Sequence, residues 1–431
     1  MKRSRWWVWL LLVGALVGGA FWFDAQQKKG DREVDVYVLG AERMVAGEEI
    51  YRPSSDAKAF TYPPFAALLF VPVTWLPRSW LPAIWFAANF LILLAMLRWL
   101  HRFARAEAPG RAPPRMVWFW LLTGLFSGHH VHSVFTNQSH DLLIAGAVAL
   151  TAAAWCRGRA TAGLWVGLGA AMKATPLLFV GLFGQRLRWG ALLVLVVALV
   201  AATLAPDLLY PRADGRSWAM AWYDLNLRAL KVGGTADGGA WGAHSVLNQS
   251  LSGAMHRWFR PVETGGRAFV HGENGTVLVA ELSPGAVKVV TLAMFAVVLG
   301  LLFAAGRFAA RALRGLDGEA LVARMRRVAL GEVGAFACGM VLLSPQSSKS
   351  HFCVWLFPVA FVVDQLLRRG RRDVVLLGLF VPAFALGIVS KEIVGRANGE
   401  LLLAWGNVTW STVLLLLATL RGLWLEARAA D

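Results

Sequence analysis

Outside its arginine clusters, this chain offers few side chains suited to acid–base or phosphate chemistry. Asp35 is one, in the stretch REVDVYVLGAERMVAGEEIY. Val36, Tyr37, Leu39 and Met44 predict a weakly amphipathic helix, with Asp35 just ahead of it. A carboxylate there is either an N-cap that satisfies a free backbone amide or a general base held at a surface. Its neighbours Asp31 and Glu33 read as solvated loop charges. In LLSPQSSKSHF, residues 342–352, Lys349 and His351 flank an outward-facing helix start. A cation and an imidazole beside free helix N–H groups suit a phosphate. The alternatives are a lysine snorkelling to headgroups and a helix-starting histidine.

Lys173, in GLGAAMKATPLLF, is costly at membrane depth and so a functional candidate, the alternative being an ion pair with Asp141 or Glu332. Asp364, near the end of its apolar run, reads as structural. His129, His130, His132 and His140 have spacing that could bind zinc, but no outer Cys or confirmed carboxylate completes the set. A polar cavity wall is the favoured reading, with Asn137 and Gln138 offering amides to sugar hydroxyls and no metal required. In HSVLNQSLSG, His244, Asn248 and Gln249 offer the same, and Tyr62 joins this substrate-binding set.

The elements that must position these residues are membrane helices. The 431 residues are 57% hydrophobic and 16% charged, with 21 Trp and 24 Phe, more apolar than soluble domains of this size. Apolar runs separated by short arginine clusters predict an all-α polytopic integral membrane protein, a single domain over 1–431. Met1 to Phe23 could pass for a signal peptide, but Phe21-Trp22-Phe23 replaces the small-residue cleavage site, so an uncleaved first span is expected. Cys156, Cys338 and Cys353 all lie in apolar runs, which argues against a disulfide framework.

The positive-inside rule orients the thread. MKRSR places the N-terminus in the cytoplasm, and ten spans are expected at about 6–23, 80–97, 116–135, 140–156, 192–204, 286–306, 328–344, 351–367, 374–390 and 401–420. Phe65–Leu76 is uncharged but too short to cross a ~30 Å hydrocarbon core, so it is expected to lie in the outer interface as an amphipathic segment. Ala160–Phe183 has arginines at both ends and too few residues for two crossings. Two half-helices meeting near MKATP, broken at Lys173 and Pro176, resolve this. Two outer loops, 24–79 and 206–284, are then long enough to build a site. Cytoplasmic segments collect 24 Lys+Arg against 6 acids, and outer segments 18 against 17. The +17 net charge therefore marks the cytoplasmic face, and a nucleic-acid partner is not indicated.

Taken in order, DVYVLGAERMVAGEEIY, FTYPPFAALLFVPVTWLP, NQSHDLLI, GLGAAMKATPLLF, HSVLNQSLSG and LLSPQSSKSHF resemble the PimE-type polyprenol-phosphate-mannose-dependent mannosyltransferase family, of the GT-C glycosyltransferase superfamily. The resemblance implies a GT-C-like fold in a bacterial inner membrane, with both termini cytoplasmic and the active site on the extracytoplasmic face. It implies transfer of a hexose, usually mannose, from a polyprenyl phosphate to a lipid or glycan acceptor. Asp35 would be the catalytic base, and His351 would meet the donor phosphate, helped by Lys349 and Lys173. No metal or other cofactor is required. One base without a covalent intermediate implies inversion, by analogy with inverting glycosidases. The rival readings are a flippase for lipid-linked sugars, and an O-antigen-ligase-like transferase using a diphosphate donor through Arg212, Arg216 and Arg228.

Overall fold

A computed structural model describes residues 14, 17–19, 21, 22, 25, 32–52, 59–106, 113–228, 244–261, 277–369 and 373–429. The first expected span, 6–23, and parts of both long loops fall largely outside these residues. Every element among the described residues is a helix. In chain order they are α1 (Glu33–Val45), α2 (Pro64–Phe70), α3 (Leu81–Ala106), α4 (Pro113–Asn137), α5 (Asp141–Trp155), α6 (Thr161–Met172), α7 (Phe179–Gln185) and α8 (Trp189–Leu209). There follow α9 (Trp218–Trp222), α10 (Leu251–Phe259), α11 (Pro284–Ala312), α12 (Gly318–Leu342), α13 (Leu356–Arg369), α14 (Val374–Ile388), α15 (Lys391–Val394), α16 (Arg396–Trp405) and α17 (Asn407–Arg428).

Five helical stretches are long and apolar enough to cross a membrane: Arg78–Ala104, Trp189–Leu209, Pro284–Ala312, Lys349–Arg369 and Asn407–Arg428. The last two are mostly buried inside the bundle, whereas the other three leave most of their surface outside it. Leu193, Val197, Val289 and Val297 on that outer surface are more than half exposed, which suits contact with lipid tails. The chain is thus built as an integral membrane protein. The expected spans at 140–156 and 374–390 are 15-residue helices, about 22 Å long and short of a hydrocarbon core. The run expected at 401–420 is broken, because Gly406 takes φ 78° and a new helix begins at Asn407. That left-handed conformation is one a glycine adopts without steric cost.

The segment after Tyr62 folds as α2 and a 3-10 turn, Val71–Trp75. Its twelve residues rise too little to span a bilayer. Ala66, Ala67, Phe70 and Val71 are buried against α1, joining Tyr37, Phe60, Trp85 and Trp218 in a second hydrophobic core distinct from that of the main bundle.

Within the bundle, α6 stops at Lys173, whose φ −155° and ψ 118° are extended. A 3-10 turn, Thr175–Leu178, with Pro176 in its first turn, then leads into α7. Lys173 meets Asp141 at the start of α5, whereas the ring of Phe183 lies 5.4 Å from that of Trp155 at its end. The chain therefore climbs beside α5, breaks, and returns. Gly163 and Gly167 let α6 run against the α8 backbone, since a Cβ at either would overlap α8 carbonyls. Below, Glu332 of α12 accepts from Trp155 Nε1 at 3.0 Å and lies 3.5 Å from Arg186 Nε, which fixes the returning end.

Candidate active site

The break in the helix pair puts an ammonium among acids and imidazoles. Lys173 Nζ donates to Asp141 Oδ1 at 2.7 Å, and both side chains are largely buried. The second carboxylate oxygen accepts from Ser139 Oγ at 2.9 Å. His351 Nε2 approaches Asp141 Oδ1 to 3.8 Å. His351 Nδ1 accepts the Ser348 backbone N–H at 3.2 Å, so in a neutral ring the proton sits on Nε2, the nitrogen facing the carboxylate. Asp141, Lys173, Thr175, Ser347 and His351 line one cavity, with Ile144, Met340, Val341 and Val354 as its apolar wall. Of the two ion-pair partners open to Lys173, the structure uses Asp141; Glu332 serves the opposite end of the helix pair.

Beside Asp141, His140 Nδ1 lies 2.6 Å from Tyr37 Oη, and Tyr37 donates to Glu33 Oε2 at 2.8 Å. The order of donors follows: the carboxylate only accepts, so the phenol proton points to Glu33 and His140 Nδ1–H donates to the phenol. Glu33, half-buried, is thus a partner in a chain of bonds in place of the solvated loop charge expected, whereas Asp31 lies outside the described residues. Tyr62 packs edge-on to both rings, 5.4 Å from Tyr37 and 4.5 Å from His140. Burial, then the charge of Glu33, pushes both phenols well above their ordinary pKa, so they stay neutral donors. No local pattern marks Tyr37 or His140 for this role, because their alignment needs α1 folded onto the α4–α5 turn.

Asp35 lies in the first turn of α1, three residues after the N-cap Arg32. It is therefore not the N-cap, as its expected place ahead of the helix would have made it. Its carboxylate accepts from Arg32 Nε at 2.8 Å and is partly exposed, favourable near a helix N-terminus. Asp35 does not line the Lys173 cavity.

Lys349 lines another cavity, with His129, His130, Ser390 and Lys391. The 3-10 helix Lys349–Trp355 explains the separation, since at three residues per turn positions two apart point about 120° away from each other.

The amides expected to meet sugar are largely committed to the fold. Asn248 Nδ2 donates to Pro345 O, and its Oδ1 accepts from the Ser250 and Ser347 backbone. Gln249 Nε2 donates to Val246 O and Leu403 O. These bonds tie the large loop to the SPQSS turn, a positioning task in place of the sugar contact expected. Asn137 donates to Ser133 Oγ at 3.3 Å, and Gln138, at φ 52°, closes the α4–α5 turn while its carbonyl accepts from Trp85 Nε1. His244 packs against His256, 6.5 Å between ring centres; burial, then that neighbour, lowers its pKa. The four histidines 129–140 diverge: His140 turns to Tyr37 and His130 to the Lys349 carbonyl. Among the described residues no group of three His, Cys, Asp or Glu is placed to hold a metal ion.

The fold and the site together define an integral membrane protein: a helical bundle with a buried charged cavity where a helix pair breaks, beside the packed rings of Tyr37, Tyr62 and His140. Residues 60–346 match the model of Glycosyltransferase family 87, and the chain belongs to that family. It is 27% identical over 232 residues to a polyprenol-phosphate-mannose-dependent alpha-(1-2)-phosphatidylinositol mannoside mannosyltransferase of Mycobacterium tuberculosis. That match covers 50% of this chain and spans about half of the relative, 54% of its length. A protein of the same description from Mycolicibacterium smegmatis is 27% identical over 376 residues, 83% of this chain and 74% of its own. No solved structure matches.

Proposed function

We propose that the protein transfers a hexose, with mannose the expected sugar, from a polyprenyl phosphate to a lipid or glycan acceptor on the extracytoplasmic face of a bacterial inner membrane. The single observation that carries this reading is the Asp141–Lys173–His351 cluster lining one cavity at the helix break. A departing polyprenyl phosphate needs positive charge placed in advance where negative charge develops. Lys173 supplies it, held in place by Asp141, and the His351 Nε2–H adds a hydrogen-bond donor beside them. The donor sugar then extends toward Tyr37 and Tyr62, which pack on His140 beside Asp141. Asp35 is the proposed base that takes the proton from the acceptor hydroxyl as it attacks the anomeric carbon, with inversion. Family membership and the description of both relatives support the donor and suggest a phosphatidylinositol mannoside as acceptor.

The diphosphate-donor reading loses support from the arginines it needs. Arg212 pairs with Glu49 and Asp214, Arg216 with Asp224, and Arg228 lies 3.9 Å from Asp224. Reconstituted protein should be given radiolabelled polyprenyl-phosphate mannose and a phosphatidylinositol mannoside, and the products separated. A labelled acceptor lipid is the expected result. Movement of intact donor across the bilayer with no new glycosidic bond would establish a flippase instead.

A further inference from the structure

We propose that a second cationic pocket, formed by His129, His130, Lys349 and Lys391, binds the phosphodiester headgroup of the lipid acceptor. The inference rests on the transferase reading and adds to it the site of the second substrate. This pocket shares no lining residue with the Lys173 cavity.

The side chains at this pocket are unsatisfied in a directed way. His130 is fully buried, and its Nδ1 lies 2.9 Å from the Lys349 carbonyl. A carbonyl only accepts, so Nδ1 carries the proton and Nε2 holds a bare lone pair. That Nε2 has no hydrogen-bond partner, and neither has the buried Nε2 of His129. Buried polar atoms are nearly always paired in a folded protein, with protein, water or ligand, so these two nitrogens leave the pocket ready for a polar partner. Neither the Lys349 nor the Lys391 ammonium has an ion-pair partner among the described residues. Lys391 is exposed and stands at the mouth of this narrow pocket. One carboxylate acts on the pocket: Glu392, held below the usual range, against its burial, by a Ser390 side-chain bond, a backbone N–H and the charge of Lys349.

Two ammoniums donate, and the His130 Nε2 lone pair accepts. A phosphodiester carrying a polyol satisfies both, its anionic oxygens meeting the lysines and a hydroxyl donating to His130. A phosphoinositol headgroup has that chemistry. Both substrates of the proposed reaction carry one lipid phosphate, and two separate cationic pockets keep the like charges apart.

The experiment uses full-length protein in nanodiscs and compares two acceptors, a phosphatidylinositol mannoside and an uncharged mannosyl diacylglycerol. Losing a charge-assisted hydrogen bond weakens binding roughly 10-fold or more. Lys349→Gln with Lys391→Gln should therefore raise KM for the phospholipid acceptor by at least that factor. KM for the donor, and for the neutral acceptor, should stay the same. An equal loss on the neutral acceptor, or a rise in donor KM, would overturn the proposal. Equilibrium binding of glycerophosphoinositol separates this inference from the transferase reading. Weaker binding by the variant supports the pocket even if no transfer is found, and unchanged binding refutes it. Inorganic phosphate binding as tightly as glycerophosphoinositol would point to a free-phosphate site and also overturn the acceptor assignment.

Discussion

The ammonium of Lys173 lies 2.7 Å from the carboxylate of Asp141, 32 residues earlier in the chain, where a helix breaks next to the start of another. The pair is largely buried, so each charge depends on the other for solvation. This geometry sets stability and proposed chemistry against each other at one site.

Lys173→Met leaves the Asp141 carboxylate buried without its cation, a change that costs about 3–5 kcal/mol. Thermal unfolding in detergent should show that loss. Adding Asp141→Asn should recover most of the stability but not sugar transfer. Recovery of transfer in the double variant would show that the pair serves the fold alone.

Asp35→Asn separates base from scaffold. The Arg32–Asp35 pair is partly exposed and contributes about 1 kcal/mol or less, so folding should be nearly unchanged. Turnover should fall by roughly 10²–10⁴-fold if Asp35 takes the acceptor proton. Near wild-type turnover would move the search for the base to the Glu33–Tyr37–His140 chain.

His351→Ala removes the imidazole that faces Asp141 and lines the proposed donor cavity. The expected effect is a rise in KM for the polyprenyl-phosphate sugar of roughly 10-fold or more, with KM for the acceptor unchanged. Steady-state kinetics with each substrate varied in turn would reveal it, and an effect confined to the acceptor would exclude His351 from the donor site.

Orientation is testable by labelling. Single cysteines at positions 78 and 105 should react with a membrane-impermeant reagent from opposite sides, position 78 from outside. Arg78 makes only an exposed pair with Glu42, so its loss should cost little. External labelling at position 105 would reverse the proposed path of Leu81–Ala106.

Arg212 joins the two long loops: it pairs with Glu49 and Asp214 and stacks 4.9 Å from the Trp218 ring centre. The Asp214 carboxyl is held well below the usual range, first by the Arg212 side chain and then by the Arg216 backbone N–H. A depressed pKa gives stability that is complete above the ordinary Asp value of about 3.9 and fades as pH falls below it. Protection factors for the amides around residues 210–218 should therefore fall below about pH 4. Arg212→Ala should make exchange there fast at neutral pH and abolish the acid dependence. Unchanged protection in that variant would mean that Trp218 packing alone holds the loops together.

Much of this protein follows from its sequence alone. Long apolar runs separated by arginines specify membrane helices, because unpaired backbone and uncompensated charge are both costly in hydrocarbon. Lys173 and Pro176 inside one such run foretell the break, since the lysine resists burial and the proline cannot continue the helix. The twelve residues after Pro63 are too few to span, whatever surrounds them. The ordered motifs agree with the family the chain belongs to.

Which groups meet was decided only by the tertiary structure. Hydropathy records that a residue is buried, but not which distant helix end it faces. Lys173 had two acidic partners in apolar runs, and the return of the chain beside α5 selects Asp141 while Glu332 stays at the far end. Lys349 and His351 look like one site along the chain, yet a 3-10 turn rotates them into different cavities. Asn248 and Gln249 look available for sugar, but folding engages their amides with backbone groups from remote segments, because buried polar groups must be paired. Tyr37 and His140 align only when α1 packs onto the α4–α5 turn, a contact between residues 103 apart that no local pattern encodes.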